Sequence, residues 1–341
     1  MNNERIAIIL FNIGGPDKKE SIEKFLSNFF SDKAILNLPF FLRYPLAKFI
    51  SKIRKNKTSQ IYEQIGGSSP ILKETLEQAK ALEKNLKNKN YKVFVSMRYW
   101  HPMAAQVMKE VIKFSPDKII LLPLYPQFST TTTQSSIDDW VDTAKKFDFK
   151  RKTEVICCYY NHKQFISAYS DLTYKTYLAV KKFGKPRILF SAHGLPRSII
   201  KSGDPYQWQV EQTTAAIVKN INEKDLDYVI CYQSKVGPLK WITPYTEDEI
   251  ISAAKNQIPI VLVPLAFVSE HSETLVELDI EYKNLALKYG VKNYFRVPTV
   301  RIHPEFIKCL TNLCMDKISG KTINSSCNIK CVKCYLRNEK T

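Results

Sequence analysis

The chain has 341 residues, a length that predicts two domains rather than one or four. Hydrophobic residues make up 44% and charged residues 25%, which excludes a disordered, collagen-like or membrane-spanning protein. The 51 lysines and arginines exceed the 33 acidic residues, and the net charge of +18 favours an anionic partner such as an acidic lipid surface or a carboxylate-bearing ligand. The lysines are scattered singly, which argues against nucleic-acid binding.

The first residues lack the features of a secretory signal, because Glu4 and Arg5 precede only a short apolar run and no cleavage site follows. The most apolar window, around residues 39–50, is interrupted by Arg43. We therefore expect a cytoplasmic protein. In that compartment its eight cysteines are expected to be free thiols or metal ligands rather than a disulfide framework.

Short apolar runs recur along the chain, and each is predicted to be a buried strand followed by a loop and an amphipathic segment. The predicted strands are Ile6–Asn12, Lys92–Met97, Lys118–Pro123, Arg187–Ala192, Tyr228–Cys231 and Ile258–Pro264. This alternation predicts an α/β fold with parallel sheets covered by helices on both faces. In such sheets, ligands bind at the carboxyl ends of the strands.

The first helix is indicated by a turn and an apolar stripe. Residues 14–16 form the turn, and Asp17 with Glu20 predicts a capping box at the helix start. The stripe that should face the core consists of Ile22, Phe25, Leu26 and Phe29.

Two polar segments, 148–152 and 181–186, are candidate domain boundaries. We place the first domain at residues 1–150 and the second at residues 151–318. Residues 319–341 are polar, contain three cysteines and show no clear period. That composition is typical of a tail or of a small metal-bound appendix.

The predicted strand at 187–192 leads into the sequence HGLP, which puts His193 at the carboxyl end of a sheet. An imidazole there can accept a proton near neutral pH or ligate a metal. A single histidine is also typical of a structural position, and this segment alone leaves both interpretations open.

After the last predicted strand, residues 269–282 have helical spacing and carry Glu273, Glu277 and Glu281 at i, i+4 and i+8. Like charges so placed repel each other by roughly a few tenths of a kcal/mol per pair. One interpretation is a solvated helix face opposite a core stripe. The other is a row of carboxylates that leads protons or a divalent cation towards His271.

Three further segments lack a simple structural explanation: YEQIGGSSP at 62–70, MRYWHP at 97–102 and YPQFSTTTTQSS at 125–136. Together with NIGGPDKKESIEKFLSNFFSD, LFSAHGLPRSIIKSGDPY, CYQSKVGPLKWITPYTEDEI and VPLAFVSEHSETLVELDIEY, they resemble segments of the ferrochelatase family in the same order. The resemblance extends over about residues 5–310.

The resemblance implies two similar Rossmann-like domains, each a parallel sheet flanked by helices, with a porphyrin cleft between them. It also implies a lyase that inserts Fe2+, its substrate, into protoporphyrin IX to form protoheme, the terminal step of heme biosynthesis. One alternative is a chelatase for coproporphyrin or sirohydrochlorin. Another is a non-catalytic heme-binding carrier, which need not keep both His193 and Glu273.

The resemblance assigns roles to individual residues. His193 accepts pyrrole protons or guides the metal, Glu273 lies opposite it, and Glu277 and Glu281 continue the path of the metal ion. Arg54 lies near a propionate, and Arg98 and Tyr99 lie against the ring. The implied porphyrin-binding positions are Ile13, Arg54, Tyr62, Ser69, Arg98, Tyr99 and Trp241.

These residue types suit the reaction. A porphyrin is flat and apolar, and its two inner N–H protons must leave before a dication can lie in its plane. Distortion of the ring exposes the nitrogen lone pairs, so we expect distortion to contribute to catalysis. A neutral histidine then accepts protons, and carboxylate oxygens help to strip water from the ion.

Residues 36–57 resemble a lip over the porphyrin cleft. Cations are mixed there with apolar side chains, namely Phe40, Phe41, Leu42, Leu46, Phe49 and Ile50. This mixture favours peripheral attachment to an anionic inner membrane. The alternative is an ordinary amphipathic helix packed on the core.

Two features depart from the usual family pattern. Position 13 is isoleucine where some relatives carry methionine, so a thioether role is absent. Cys327, Cys331 and Cys334 partly resemble the ligands of the two-iron two-sulfur cluster that several ferrochelatases hold with a fourth cysteine from the body. Their spacing differs from the usual form, and exposed thiols in a tail are the alternative. The oligomeric state is not predicted.

Overall fold

A computed structural model of the chain describes residues 4–320, which form two compact units. The first unit consists of residues 4–158 and 310–320, and the second of residues 159–309. Each unit contains a four-stranded parallel sheet, so the predicted α/β fold is confirmed. Within residues 4–320, no helix is both long enough and apolar enough to cross a bilayer.

Four strands form the sheet of the first unit: β1 (Ile6–Asn12), β2 (Tyr91–Met97), β3 (Lys118–Pro123) and β4 (Lys152–Val155). Their order in the sheet is β2, β1, β3, β4, and all neighbours are parallel. Every residue of β1 and β3 is buried. Because successive side chains of a strand point to opposite faces, this burial shows that both faces of the sheet are covered.

The helices of the first unit are α1 (Ile22–Phe30), α2 (Phe40–Glu63), α3 (Ile71–Leu86), α4 (Ala104–Phe114) and α5 (Ser135–Lys146). A first π-helix, Thr130–Gln134, immediately precedes α5. The helices α1 and α2 pack around a cluster of buried residues, which are Ile22, Leu26, Phe30, Ala47 and Tyr62. The predicted apolar stripe of α1 faces this cluster, which confirms it.

The predicted capping box at Asp17 and Glu20 is wrong. A short 3-10 helix, Lys19–Ser21, precedes α1 and moves the start of the α-helix to Ile22. Neither helix start has a side-chain cap. The carboxylate of Asp17 instead accepts a hydrogen bond from the Ser21 hydroxyl at 2.6 Å.

The second unit repeats the strand order of the first. Its strands are β5 (Arg187–His193), β6 (Asp227–Gln233), β7 (Ile260–Pro264) and β8 (Tyr294–Arg296), in the sheet order β6, β5, β7, β8. Its helices are α6 (Lys163–Lys181), α7 (Arg197–Lys201), α8 (Tyr206–Ile221), α9 (Thr246–Lys255) and α10 (Tyr282–Lys288), with a second π-helix at Glu273–Glu281. The last helix, α11 (Pro304–Ile318), begins in this unit and ends in the first.

All six predicted strands are present, whereas β4 and β8 were not predicted. Both are short strands at a sheet edge, so each pairs on one side only. The exposed polar residues of β4 give no apolar run to recognise. Because β4 pairs with β3, the first unit extends past the boundary expected after residue 150.

Replacing Gly15 by alanine is expected to destabilise the first unit. The turn after β1 brings Gly15 so close to Ser69 that an added Cβ would lie 2.5 Å from both Cβ and Oγ of Ser69. Relieving such an overlap costs about 1–3 kcal/mol in a packed interior. Urea unfolding should show this loss, and the double variant Gly15→Ala/Ser69→Gly should recover part of it. Equal stability of Gly15→Ala and the unchanged protein would contradict the close packing of this turn.

Candidate active site

The carboxyl end of the second unit's sheet carries an imidazole–carboxylate pair. His193 is the last residue of β5, and Glu273 is the first residue of the second π-helix. Nδ1 of His193 lies 2.8 Å from Oε2 of Glu273, and the two side chains are 37% and 30% exposed. The pair is therefore hydrogen-bonded and accessible. The resemblance placed Glu273 opposite His193, whereas the structure joins the two directly.

The second π-helix explains how two of the predicted glutamates serve one site. Its i→i+5 hydrogen bonds give more residues per turn than an α-helix has, so side chains four residues apart lie almost above one another. Glu273 and Glu277 both reach the sheet end in this way, where they contact His193 and Ser234. Glu281 is exposed at the end of the π-helix.

Glu277 is anchored to the residues that end β6. Its oxygens accept hydrogen bonds from the Ser234 backbone N–H at 2.9 Å, the Ser234 hydroxyl at 2.6 Å and the Gln233 amide at 3.1 Å. The hydroxyl of Tyr282 donates a fourth at 3.1 Å. These four donors fix the side chain, so Glu277 also fixes the π-helix relative to β6.

The two carboxyl groups differ in acidity. Burial disfavours the charge on Glu273, but the neighbouring His193 prevails and lowers the pKa of Glu273. Burial and the negative charge of Glu273 both raise the pKa of Glu277. Neighbouring carboxyl groups with pKa values pushed apart are typical of acid–base sites.

The pKa of His193 moves upwards. Burial acts to lower it, but the carboxylate of Glu273 and its hydrogen bond stabilise the imidazolium and raise the pKa above 6.5. His271, two residues before Glu273, behaves oppositely, since burial lowers its pKa and its Nδ1 has no hydrogen-bond partner within residues 4–320. The two histidines near the carboxylates therefore have different affinities for a proton.

Close backbone packing sets the position of His193. Gly194 follows it, and a Cβ at this position would lie 3.0 Å from the Gln233 carbonyl oxygen and 3.2 Å from the Trp241 ring. The Trp241 ring centre lies 6.4 Å from that of His193, edge to face. Trp241, predicted to contact the porphyrin, is thus a neighbour of the imidazole.

A second polar cluster occupies the carboxyl end of the first unit's sheet. Arg98 follows β2, donates from Nη2 to Oδ2 of Asp32 at 2.8 Å, and donates from Nε to Ser135 Oγ at 2.8 Å. The Tyr99 hydroxyl donates to the same Asp32 oxygen at 2.7 Å, and the Ser135 hydroxyl also donates to it. Asp139 lies 3.7 Å from the other side of the guanidinium. Arg98 is thus balanced by two carboxylates.

The remaining predicted ligand-binding residues also lie in the first unit. The backbone N–H of Tyr99 donates to the Ile13 carbonyl oxygen at 3.0 Å, which joins Ile13 to the Arg98 cluster. Ser69 donates from its backbone to Pro16 at 2.8 Å, beside the turn after β1. Tyr62 is buried among α1 and α2, and the Arg54 guanidinium lies 5.7 Å from the Phe30 ring centre.

Several residues of the two clusters were not predicted. Asp32, Gln233, Ser234 and Tyr282 lie in segments that carry the family resemblance, but no local pattern predicts a role for them. Only their position in the fold gives them their partners. Ser135 belongs to the hydroxyl-rich segment at 125–136, which was recognised without a role for this residue.

Within residues 4–320, no three side chains of the His, Cys, Asp and Glu types are grouped to hold a metal ion. His193, Glu273, Glu277 and Glu281 are thus not a preformed ligand set. The cysteines predicted to hold a cluster, Cys327, Cys331 and Cys334, lie outside the described residues.

The candidate fourth cluster ligands in the body fit that role poorly. Of Cys157, Cys158, Cys231, Cys309 and Cys314, all but Cys158 are buried. Burial raises the pKa of Cys231 to about 12 and also raises that of Cys314. Since a cluster needs thiolates, the buried cysteines among these residues are poorly suited to be its ligands.

The chain is similar to known proteins over nearly its whole length. A model of the ferrochelatase family matches residues 5–318. Ferrochelatases of Wolbachia sp. subsp. Drosophila simulans (strain wRi) and Pelagibacter ubique (strain HTCC1062) are each 54% identical to it, over 91% of this chain and over 98% and 91% of theirs. The ferrochelatase of Rickettsia bellii (strain OSU 85-389) is 50% identical over 94% of this chain and 89% of its own.

Solved structures of low sequence identity share the fold. SirB from Bacillus subtilis, solved with Fe3+, superposes with a TM-score of 0.53 at 14% identity, over 93% of this chain and 98% of its own. DR2241 from Deinococcus radiodurans, described as having structural similarity to chelatases, gives a TM-score of 0.51 at 10% identity, over 90% of this chain and 54% of its own.

Replacing Glu273 by glutamine is expected to lower the pKa of His193, because the carboxylate that raises it is removed. NMR titration of the His193 imidazole measures this directly. The resonances of His303, which contacts Asp171 instead, serve as the internal control. An unchanged His193 titration in Glu273→Gln would show that the carboxylate does not control the imidazole.

The same pair makes stability depend on pH. His193, with its raised pKa, contributes stability that is fully present below pH 6.5 and is lost as the pH rises through the folded-state pKa. Glu273, with its lowered pKa, contributes stability that is present above pH 4.5 and is lost as the pH falls. Urea unfolding should therefore show the pair's contribution to be greatest between pH 4.5 and 6.5, and Glu273→Gln should flatten that maximum.

Proposed function

Because the chain belongs to the ferrochelatase family, enzymes that insert iron into a porphyrin in heme synthesis, we propose that His193 accepts the porphyrin's inner protons and that Glu273 stabilises the resulting imidazolium. The protein's substrates are a porphyrin and ferrous iron. The observation that carries the proposed mechanism is the 2.8 Å contact between His193 Nδ1 and Glu273 Oε2.

The reaction releases two protons for each Fe2+ that enters the ring, so it needs groups that can take protons near neutral pH. Neutral His193 takes a proton, and the nearby carboxylate lowers the free energy of the imidazolium that forms. Glu277, whose pKa is raised by burial and by Glu273, is the second group suited to holding a proton. His193 and Glu277 can therefore pass protons from the ring towards solvent.

The same side chains suit a ferrous ion in transit. Imidazole and carboxylate oxygens both bind divalent iron, and replacing its water ligands one at a time lowers the cost of dehydration. Glu277 is already saturated by four hydrogen-bond donors, so Glu273 with His193 is the better first contact for the ion. A distorted ring would then accept the ion as its nitrogen lone pairs become accessible.

Protoporphyrin IX is the proposed porphyrin, with coproporphyrin or sirohydrochlorin as the alternative. The exposed apolar side chains of α2 favour the more apolar molecule. A carrier without turnover is the less favoured alternative, since binding alone requires no proton acceptor with a tuned pKa.

Replacing His193 by alanine is expected to reduce iron insertion by about 10²–10⁴-fold, the usual contribution of general acid–base catalysis. The affinity for porphyrin should change little. An anaerobic assay with Fe2+ and protoporphyrin IX, run beside coproporphyrin III, measures turnover and substrate preference. Quenching of porphyrin fluorescence measures binding.

His303→Gln is the matched control, because His303 contacts Asp171 rather than the glutamates and should leave turnover unchanged. Turnover near the normal rate in His193→Ala would remove the proposed proton acceptor. Faster turnover with coproporphyrin III would instead favour the alternative substrate.

We further propose a cytoplasmic protein that attaches peripherally to an anionic inner membrane through α2. One side of α2 packs on α1 through Ala47. Phe41, Phe49 and Ile53 point away from Ala47, and together with Phe40 at the helix start they are 62–72% accessible. A helix packed on the core by its apolar face would bury these side chains. Apolar side chains beside Lys48 and Lys52 suit the interface of an anionic bilayer instead.

The double variant Phe41→Ser/Phe49→Ser is expected to weaken binding to phosphatidylglycerol vesicles by at least about tenfold, since each phenylalanine contributes about 1.5–3 kcal/mol when buried. Flotation of the protein with vesicles measures this binding. Phe183→Ser/Phe295→Ser, which changes two exposed and stacked rings of the second unit, is the matched control. No flotation of the unchanged protein, or equal losses in both double variants, would contradict attachment through α2.

A further inference from the structure

Asp32 collects an unusual number of hydrogen bonds for a residue outside any helix or strand. It follows α1 by two positions, and its side chain is only 7% exposed. The oxygen Oδ2 accepts from Arg98, from the Tyr99 hydroxyl and from Ser135, while Oδ1 accepts from the Ala34 backbone N–H at 2.8 Å. Burial acts against its charge, but Arg98 and these donors lower the pKa of Asp32, so it is ionised at neutral pH.

The donors come from elements that are far apart in the chain. Arg98 and Tyr99 follow β2, and Ser135 begins α5 directly after the first π-helix. Arg98 binds Asp32 and Ser135 at the same time, and Tyr99 packs its ring edge to face on Phe29 at 5.0 Å. One carboxylate therefore sets the orientation of both the guanidinium and the phenol.

Asp32 also begins the turn that leads into α2. Its carbonyl oxygen accepts from the backbone N–H groups of Ile35 at 3.1 Å and Leu36 at 2.9 Å. From within α2, the Arg43 guanidinium donates to the carbonyl oxygens of Ser31 at 2.9 Å and Leu38 at 2.6 Å, which closes the turn from its other end. The direction in which α2 leaves α1 therefore depends on the residue that orients Arg98 and Tyr99.

We infer that Asp32 is a positioning residue for porphyrin binding, which holds Arg98, Tyr99 and the base of α2 in the arrangement that receives the macrocycle. It does so without touching the substrate. The inference rests on the proposed function and on the ring contact that the family resemblance implies for Arg98. Tyr99 is only 2% exposed, and its ring centre lies 4.9 Å from the Arg98 guanidinium, so it supports that side chain. The proton acceptor and its carboxylates belong to the other unit, so Asp32 should affect binding and not the chemical step.

The test compares Asp32→Asn with Asp139→Asn. Both substitutions remove one negative charge beside Arg98, but Asp139 makes only the 3.7 Å contact and does not bind Tyr99 or Ser135. We expect Asp32→Asn to raise the KM for protoporphyrin IX, and its Kd by fluorescence quenching, about tenfold, since charge-assisted hydrogen bonds are lost. The value of kcat should stay within about twofold, and Asp139→Asn should change both constants by less than about twofold.

A merely structural role gives a different result. It would lower the Tm of Asp32→Asn while leaving KM and Kd of the remaining folded enzyme unchanged, and that outcome would overturn the inference. Equal effects of the two aspartate variants, or a fall in kcat at constant KM, would also overturn it. If Asp32→Asn does not fold, Tyr99→Phe, which removes one donor and leaves Asp32 in place, should still raise KM at constant kcat.

Arg98→Met separates this inference from the function on which it rests. Because Arg98 and Asp32 act together, the double variant Asp32→Asn/Arg98→Met should lose less porphyrin affinity than the sum of the losses in the two single variants. If Arg98→Met leaves Kd unchanged, the proposed ring contact fails and the inference fails with it. If Arg98→Met raises Kd and Asp32→Asn does not, the ring contact stands and the positioning role of Asp32 is wrong.

Discussion

The hydrogen bond between His193 and Glu273 is the interaction on which the rest of the second unit's site depends. It joins the end of a central strand to the start of the π-helix, and it favours the ionised form of both partners. Glu277 fixes the next turn of that π-helix to the end of β6, and Gly194 leaves room for Gln233 and Trp241 beside the imidazole. A proton acceptor of raised pKa, a charged carboxylate and a second carboxyl of raised pKa are thereby held at one sheet end.

The two units use the same construction for different chemistry. Each has the same strand order, and each places a π-helix after its third strand in chain order. In each unit, the residue just after one edge strand hydrogen-bonds to the segment that contains the π-helix. Arg98, after β2, binds Ser135 in the first unit, and Ser234, after β6, binds Glu277 in the second. The first unit neutralises a guanidinium with Asp32, whereas the second pairs carboxylates with an imidazole. The first cluster is thus suited to orienting a ligand and the second to moving protons.

Sequence patterns were sufficient for the elements with a strong local signal. Apolar runs predict the buried strands. The HGLP segment follows one of these runs, which places His193 at a strand end, and parallel strands end at the same edge of a sheet. The i, i+4, i+8 spacing put Glu273 and Glu277 on one face, although it could not show that the helix is a π-helix. That geometry, which depends on tertiary packing, is what lets both side chains reach the sheet end.

Features that depend on long-range contacts could not be predicted. Asp32 gains its importance from residues 66 to 103 positions away, and no local pattern signals those contacts. The edge strand β4 is too short and too polar for a periodic signal, and β8, with three residues, is too short for one. The predicted capping box was also wrong. A 3-10 helix displaces the start of α1, and Asp17 and Glu20 carry no sequence pattern that indicates it.

The central claim is that neutral His193 takes the porphyrin's protons and that Glu273 sets its pKa. The pH dependence of kcat tests it most directly, in the unchanged enzyme and in Glu273→Gln, under anaerobic conditions with saturating Fe2+ and porphyrin. The account predicts that kcat of the unchanged enzyme rises with pH, with the midpoint of the rise above pH 6.5. In the variant, this acid limb should move to lower pH and kcat itself should fall. An acid limb at the same pH in both enzymes would contradict it.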